Sequence, residues 1–255
     1  MEFKKDKLYV KTFDTRDEMG KAAATDIAEC IKKCLAKKDE INMIFAAAPS
    51  QNDVLHHLCM NKEIEWNRIN AYHMDEYVGL SADAPQGFGN FLKEHIFGLV
   101  PFKSVNYIDC TATDVDAECA RYSKLLTENP VDIVCMGIGE NGHIAFNDPH
   151  VADFNDPKLV KYVELDEMCR NQQVNDGCFA KIDDVPKYAM TLTIPALVSA
   201  EYNFCIVPAP TKAQAVKRTV CDEISEECPA SILRRKDNAI LYCDADSSAE
   251  MIKNL

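Results

Sequence analysis

A glycine-rich segment near the middle of the chain carries a histidine and a carboxylate at a spacing that suits acid–base chemistry. Three glycines lie within residues 137–142, His143 follows directly, and Asp148 lies five residues further on. An imidazole titrates near neutral pH and a nearby carboxylate can orient it, so His143 and Asp148 form a candidate acid–base pair. The alternative is a glycine-rich turn with a structural histidine, and the pattern alone favours neither.

A second cluster, residues 73–77, contains the adjacent acids Asp75 and Glu76. Neighbouring side chains of an extended segment point to opposite faces, so only one of the two acids can easily enter a pocket. A carboxylate in such a pocket can act as a general base. The alternative is a solvated acidic strand end, which this cluster taken alone favours.

Two further clusters suit the binding of an anion. Residues 47–51 place small residues, Ser50 and Gln51 before a helix, where backbone N–H groups and a hydroxyl can bind phosphate. Lys212 lies in the first turn of another predicted helix, an unfavourable position for a cation unless an anion is bound there. The alternatives are an ordinary helix cap at Ser50 and an exposed lysine at position 212.

Short apolar runs that alternate with longer amphipathic runs predict the elements that position these clusters. Predicted strands cover residues 8–13, 42–48, 68–74, 105–108, 131–136, 202–207 and 239–242. Predicted helices cover residues 15–36, 49–60, 88–97, 115–126, 191–199, 211–220 and 247–253. This alternation predicts an α/β fold, one domain over residues 1–255, with a mainly parallel sheet and helices on both faces. Ligands of such sheets bind beyond the carboxyl ends of the strands, where all four clusters lie.

Composition and charge exclude several classes of protein. The net charge is −13 over 255 residues, so we expect no nucleic-acid partner. No apolar run is long enough to span a membrane, and the first residues lack a signal peptide, so we expect a cytoplasmic protein. Twelve scattered cysteines without a CxxC pair indicate reduced thiols rather than a disulfide framework. No metal-ligand spacing occurs, and the central GxGxxG pattern does not follow a first strand, which disfavours a dinucleotide site.

Several segments resemble the glucosamine-6-phosphate deaminase family, whose superfamily includes 6-phosphogluconolactonase. They are MDEYVGL at residues 74–80, DAEC at 116–119, GENGHIAFNDP at 139–149 and VPKYA at 185–189, in family order. The resemblance implies a modified Rossmann-like fold of the sugar-phosphate isomerase type. It also implies that an amino-sugar 6-phosphate and water react to a ketose 6-phosphate and ammonia. No metal or organic cofactor is implied, because the substrate amine provides the activation.

The resemblance assigns roles by position. Asp75 matches the base that moves a proton between C2 and C1 of the sugar, and His143 matches the residue that opens the pyranose ring. Asp148 matches the carboxylate that orients this histidine, with Asn141 in the same frame. The residues implied to bind substrate or phosphate are Ser50, Gln51, Gly139, Gly142 and Lys212. A small-molecule sugar phosphate is thus the expected partner, and the family also includes homo-oligomers.

Two departures from the family pattern concern the surroundings of His143. The family usually has an aspartate where this chain has Asn141, and a glutamate where it has Asp148. One negative charge near the imidazole is therefore lost, and we expect a pH–rate profile displaced from that of the family. Comparing the profiles of the wild type and Asn141→Asp tests this, since identical profiles would contradict it.

Other departures concern the phosphate. The glycine-rich loop of the family is replaced by residues 47–51, and its phosphate-binding arginine aligns near Asn175 or Asp176. The cations that could replace this charge are Arg170, Lys181, Arg234 and Arg235. A changed set of ligands also permits a changed substrate, of which galactosamine 6-phosphate is the nearest variant.

Two other functions compete with deamination. A 6-phosphogluconolactonase would use His143 as the base that activates water, although Asp75 within MDEYVGL favours the deaminase. A sugar-phosphate sensor without catalysis belongs to a different class, and it would be favoured if Asp75 and His143 pointed away from the pocket. Ammonia release that depends on substrate distinguishes the deaminase from both.

Overall fold

The computed structural model describes residues 1–255, and its eleven strands form two sheets. In chain order they are β1 (Glu2–Lys5), β2 (Leu8–Thr12), β3 (Ile41–Phe45), β4 (Ile69–His73), β5 (Asp75–Tyr77), β6 (Ser104–Asn106), β7 (Ile133–Met136), β8 (Val160–Glu164), β9 (Tyr188–Leu192), β10 (Tyr202–Val207) and β11 (Ala239–Cys243). The larger sheet has the order β1-β2-β11-β10-β7-β3-β4-β6. Only the β1–β2 hairpin is antiparallel, so the predicted mainly parallel α/β fold is confirmed.

Helices cover both faces of the larger sheet. They are α1 (Arg16–Leu35), α2 (Asn52–Met60), α3 (Phe88–Leu92), α4 (Val115–Glu128), α5 (Glu167–Asn175), α6 (Ile194–Val198), α7 (Ala213–Cys221) and α8 (Ala245–Ile252). Successive β7 side chains enter different apolar clusters, Ile133 and Cys135 on one face, Val134 and Met136 on the other. The continuous apolar run of β7 reflects this burial on both faces.

The longest helix begins where its sequence predicts. Thr15 accepts a hydrogen bond from the backbone N–H of Glu18, and the Glu18 side chain accepts one from the Thr15 backbone, which completes a capping box. Since β2 ends at Thr12, this cap places the first turn of α1 directly beyond the carboxyl end of a strand. No helix of the protein combines the length and apolarity needed to cross a bilayer, and all twelve cysteines are free thiols.

The smaller sheet is antiparallel, with the order β5-β9-β8, and the sequence prediction missed it. The helix predicted over residues 191–199 was wrong at its start, because Thr191 and Leu192 belong to β9. Thr193 ends the strand and caps α6 with its side chain. This sheet fixes Asp75, since Asp75 pairs with Thr191 in the β5–β9 ladder.

Candidate active site

An open cleft lies beyond the carboxyl ends of the parallel strands. Each of the four clusters singled out in the sequence contributes to its wall. The lining residues with polar or charged side chains are Arg16, Ser50, Asp75, His143, Gln172, Gln173, Asp176, Thr211 and Lys212. The cleft thus lies at the edge where ligands of parallel sheets bind.

The two adjacent acids separate as expected. Asp75 lines the cleft, whereas the carboxylate of Glu76 accepts backbone hydrogen bonds from Tyr77, Phe88 and Gly89 at 2.8–3.0 Å. Glu76 thus fixes the start of α3, from which Phe88 reaches the cleft wall. Burial, and secondarily the charge of Glu76, raises the pKa of Asp75 well above its usual value, which makes this carboxylate a stronger base.

A buried histidine supports the backbone of Asp75. Nδ1 of His73 lies 2.9 Å from the carbonyl oxygen of Asp75, and the N–H of Ile108 donates to Nε2 at 2.9 Å. Because Nε2 accepts a hydrogen bond, Nδ1 carries the proton and donates to the Asp75 carbonyl. The ring is fully buried, and this burial lowers the pKa of His73 to about 4. His73 is therefore neutral at physiological pH.

The neutral His73 makes the protein sensitive to acid. The unfolded chain takes up a proton at His73 near pH 6.5 but the folded protein only near pH 4, so stability is lost as the pH falls between these values. We expect a loss of up to about 3 kcal/mol from this group. Urea unfolding at pH 7 and at pH 4.5 should show a smaller loss for His73→Gln than for the wild type. Equal losses in the two proteins would contradict the assignment.

The glycine-rich segment holds His143 against a buried carboxylate. Nδ1 of His143 lies 2.9 Å from Oδ1 of Asp148, and the backbone N–H of His143 donates to Oδ1 of Asn141. Burial acts to raise the pKa of Asp148, but the charge of His143 and contacts with His143, Asn141 and Cys169 lower it below its usual value. Asp148 is consequently ionised. Asp148 and Asn141 contact His143 and do not line the cleft.

The amide at position 141 suits this arrangement. Nδ2 of Asn141 donates to Oδ1 of Asp148 at 2.8 Å. An aspartate at this position would bring two buried carboxylates into contact, which is electrostatically unfavourable. The amide instead donates to Oδ1 of Asp148 and accepts from the His143 backbone N–H, so both of its polar atoms are used with one charge fewer.

Two glycines give the loop its shape. A Cβ atom at Gly139 would lie 2.1 Å from Cε1 of His143, so the imidazole can pack on the loop only because residue 139 is glycine. Gly142 has φ of +93°, and a Cβ there would lie 2.7 Å from Sγ of Cys228. Gly139 lines the cleft and Gly142 does not, and substrate contact by either glycine stays a prediction.

One end of the cleft combines several features that favour an anion. Lys212 is 5% exposed, forms no ion pair within 4 Å and lines the cleft. Burial lowers its pKa, as expected for an ammonium removed from water. The helical turns Pro49–Gln51 and Pro210–Lys212 both start at the cleft without a side-chain cap. Free N–H groups at helix starts and an unpaired ammonium together attract a phosphate.

Gln51 supports this end of the cleft from behind. Its Nε2 atom donates to Oγ of Ser50 and to the carbonyl oxygen of Ile206, both at 3.1 Å. Ser50 lines the cleft, but Gln51 is fully buried outside it. Its amide positions the loop, and phosphate binding by Gln51 stays a prediction.

None of the four cations considered as the missing phosphate ligand lines the cleft. Their side chains have other partners, namely the carbonyls of Ile182 and Val185 for Arg170, Asp184 for Lys181, Asp6 for Arg234 and the ring of Phe154 for Arg235. Arg16 lines the cleft instead and bonds Asp53 and the carbonyl of Pro49. Arg16 lies in the first turn of a helix, and the same position is the sequence feature that indicated Lys212 as an anion ligand.

Residues of α5 and the turn after it complete the wall, and the sequence prediction missed them. Gln172 accepts from the backbone N–H of Glu140 and donates to Asp176. Asp176, at the position aligned with the arginine of the family, thus presents a carboxylate to the cleft, whereas Asn175 does not line it. Its charge acts on Lys212 and keeps the pKa of Lys212 from falling further.

Backbone strain is concentrated at this cleft. Three non-glycine residues have positive φ, and two of them, Ala145 at 49° and Ala209 at 82°, line it. Such conformations persist only where the surrounding structure enforces them, and they cluster at functional sites. Ala209 is held by a hydrogen bond from its N–H to Oδ2 of Asp244.

Comparison with known proteins agrees with this geometry. Residues 14–242 match the family model described as glucosamine-6-phosphate isomerases/6-phosphogluconolactonase. Glucosamine-6-phosphate deaminase of Bacillus cereus strain B4264 is 34% identical over 233 residues, which cover 91% of this chain and 85% of that protein. The corresponding protein of Bacillus thuringiensis strain Al Hakam shows the same identity and coverage.

Solved structures share the fold. A monomeric glucosamine-6-phosphate deaminase superimposes with a TM-score of 0.85 at 28% identity, covering 94% of this chain and 99% of that one. A 6-phosphogluconolactonase from Thermotoga maritima reaches 0.76 at 20% identity, covering 93% and 100%. At 20% identity, the similarity to the 6-phosphogluconolactonase shows a shared fold alone. The match over most of the sequence shows that the chain belongs to the glucosamine-6-phosphate isomerase/6-phosphogluconolactonase family.

Proposed function

We propose that the protein converts an amino-sugar 6-phosphate and water into a ketose 6-phosphate and ammonia. Glucosamine 6-phosphate, which would give fructose 6-phosphate, is the first candidate substrate, and its galactosamine analogue is the second. The observation that carries the proposal is that Asp75, His143 and Lys212 line one cleft. The 34% identity to glucosamine-6-phosphate deaminases supports it.

The side chains suit the steps of this reaction. His143 takes the proton of the anomeric hydroxyl and returns one to the ring oxygen, which opens the pyranose to an aldehyde. Asp75 then removes the proton from C2 and delivers it to C1 through an enolamine. Water adds to C2 of the resulting imine, and ammonia leaves. Atoms balance without a redox step, and the raised pKa of Asp75 favours the proton abstraction.

The phosphate binds, in this proposal, between Lys212 and the turns that begin at Pro49 and Pro210. The cost of burying an unpaired ammonium is offset when an anion arrives. Arg16 adds a second positive charge to this end, although Asp53 already neutralises it in part. This arrangement explains how a chain with a net charge of −13 offers a local site for a phosphate.

Asp176 weakens phosphate binding in this arrangement, because its carboxylate repels the anion and attracts the ammonium of Lys212. Replacing Asp176 with asparagine should tighten the binding of inorganic phosphate and lower the KM for the sugar phosphate roughly twofold to fivefold. Calorimetry with phosphate and steady-state kinetics measure the two effects. Asp183→Asn removes the same charge from an exposed turn outside the cleft and serves as the control. An equal effect of both variants would contradict a local role.

Ammonia release from a panel of compounds tests the function. The panel contains glucosamine 6-phosphate, galactosamine 6-phosphate and their N-acetyl forms. Turnover of either amine supports the proposal, and no turnover of both overturns it. Hydrolysis of 6-phosphogluconolactone without ammonia release would favour the lactonase. Binding of sugar phosphate without turnover of any compound would favour a sensor, against which stands the position of Asp75 and His143 in the cleft wall.

A further inference from the structure

We propose that His143, Asp148 and Cys169 form a binding site for Zn²⁺ beside the cleft, and that bound zinc inhibits the enzyme. The inhibitory part of this proposal rests on the proposed function, whereas zinc binding does not. One ligand atom from each of the three residues lies within 4.8 Å of the other two. All three residues are buried, and His143 connects the cluster to the cleft.

Two atoms of the cluster lack hydrogen-bond partners. Oδ2 of Asp148 has no hydrogen-bond partner, and the residue is fully inaccessible to solvent. Nδ1 of His143 lies 2.9 Å from Oδ1 of Asp148, yet the direction of the contact is not that of a hydrogen bond. Buried polar atoms without partners are rare in proteins, and a bound cation would satisfy both of these atoms. The thiol of Cys169 lies beside these two atoms.

The chemistry of the three donors selects the metal. An imidazole, a carboxylate and a thiol together suit Zn²⁺, which binds nitrogen, oxygen and sulfur in tetrahedral sites. Mg²⁺ and Ca²⁺ prefer oxygen ligands and are disfavoured by such a set. Small movements of the side chains would close the cluster around one ion. Cys169 would bind as the thiolate and release its proton to solvent, so the affinity should increase with pH.

Zinc in this position would block the proposed chemistry. The ion would occupy Nδ1 of His143 and the carboxylate of Asp148, so the imidazole could no longer be oriented or change its charge as ring opening requires. Three protein ligands leave a fourth position, which a water molecule or a substrate hydroxyl would take. No local motif reveals this site, because Cys169 reaches it from the first turn of α5, 26 residues after His143.

Direct binding tests the site without reference to activity. Zn²⁺ is titrated into the metal-free protein in competition with a chromophoric chelator. The wild type should bind one equivalent tightly, and Cys169→Ala and His143→Gln should each bind it at least tenfold more weakly. Cys178→Ala is the control, because Cys178 is a partly exposed thiol in a neighbouring cavity. Circular dichroism establishes that each variant is folded.

Each outcome of the titration decides the proposal. Wild-type affinity in Cys169→Ala, or an equal loss in Cys178→Ala, would overturn the site, as would the lack of a tight equivalent in the wild type. Co²⁺ gives a second readout, since a thiolate–cobalt absorption band should appear in the wild type and be lost in Cys169→Ala. If the panel above shows ammonia release, added zinc should suppress it and a chelator should restore it. Tight binding without inhibition would overturn the inhibitory part alone.

Discussion

Replacing Asp75 with asparagine should lower kcat for ammonia release about 10²- to 10⁴-fold, while the fold and substrate binding are retained. The amide has the size of the carboxylate but cannot accept a proton from C2. Asp75 is held by the β5–β9 ladder and by the His73 contact to its carbonyl, neither of which uses its carboxylate. The variant therefore removes the base and leaves its surroundings unchanged.

Two measurements separate this role from a structural one. Exchange of the C2 hydrogen with deuterated solvent should stop in Asp75→Asn, whereas phosphate binding should stay within about twofold of the wild type. The acid limb of the wild-type pH–rate profile should lie above the usual pKa of an aspartate, because burial raises the pKa of Asp75 and activity is lost as the pH falls through it. Residual exchange at the wild-type rate would exclude Asp75 as the base.

The parallel sheet could be predicted from the sequence because its signals are local. Each central strand is a short apolar run, and β7, with its alternate residues in different apolar clusters, is the clearest case. The capping box of α1 is likewise contained within four residues. Once the strands are known, Asp75, His143 and Lys212 are expected to lie close together, because each follows the carboxyl end of a strand in the same sheet.

The smaller sheet could not be predicted in this way, because its pairing is non-local. Asp75 pairs with Thr191, more than a hundred residues away, and β8 mixes buried and exposed residues without a strong apolar signal. The helix α5 has little apolar contrast between its faces, so Asp176 and Gln172 could not be assigned to the cleft. Arg16 could have been predicted from the sequence, because it begins the helix that follows β2, just as Lys212 lies in the helical turn that follows β10.

Replacing His143 with glutamine should lower kcat on the cyclic substrate by a similar factor, about 10²- to 10⁴-fold, because glutamine cannot exchange protons near neutral pH. The imidazole packs against Gly139 and lies beside the ionised Asp148, so its position is fixed by the loop. Asp148→Asn should reduce kcat less than His143→Gln, because it keeps the imidazole and removes only the charge beside it.

An analogue without the hydroxyls at C4 and C5 distinguishes ring opening from every later step, because it can close neither a pyranose nor a furanose ring and stays an open-chain aldehyde. On this analogue His143→Gln should recover most of the lost rate relative to the wild type. Asp75→Asn should remain inactive on both compounds, since proton abstraction from C2 follows ring opening and does not depend on the ring. If His143→Gln were impaired equally on both compounds, the imidazole would act after ring opening. The assignment of ring opening to His143 would then be wrong.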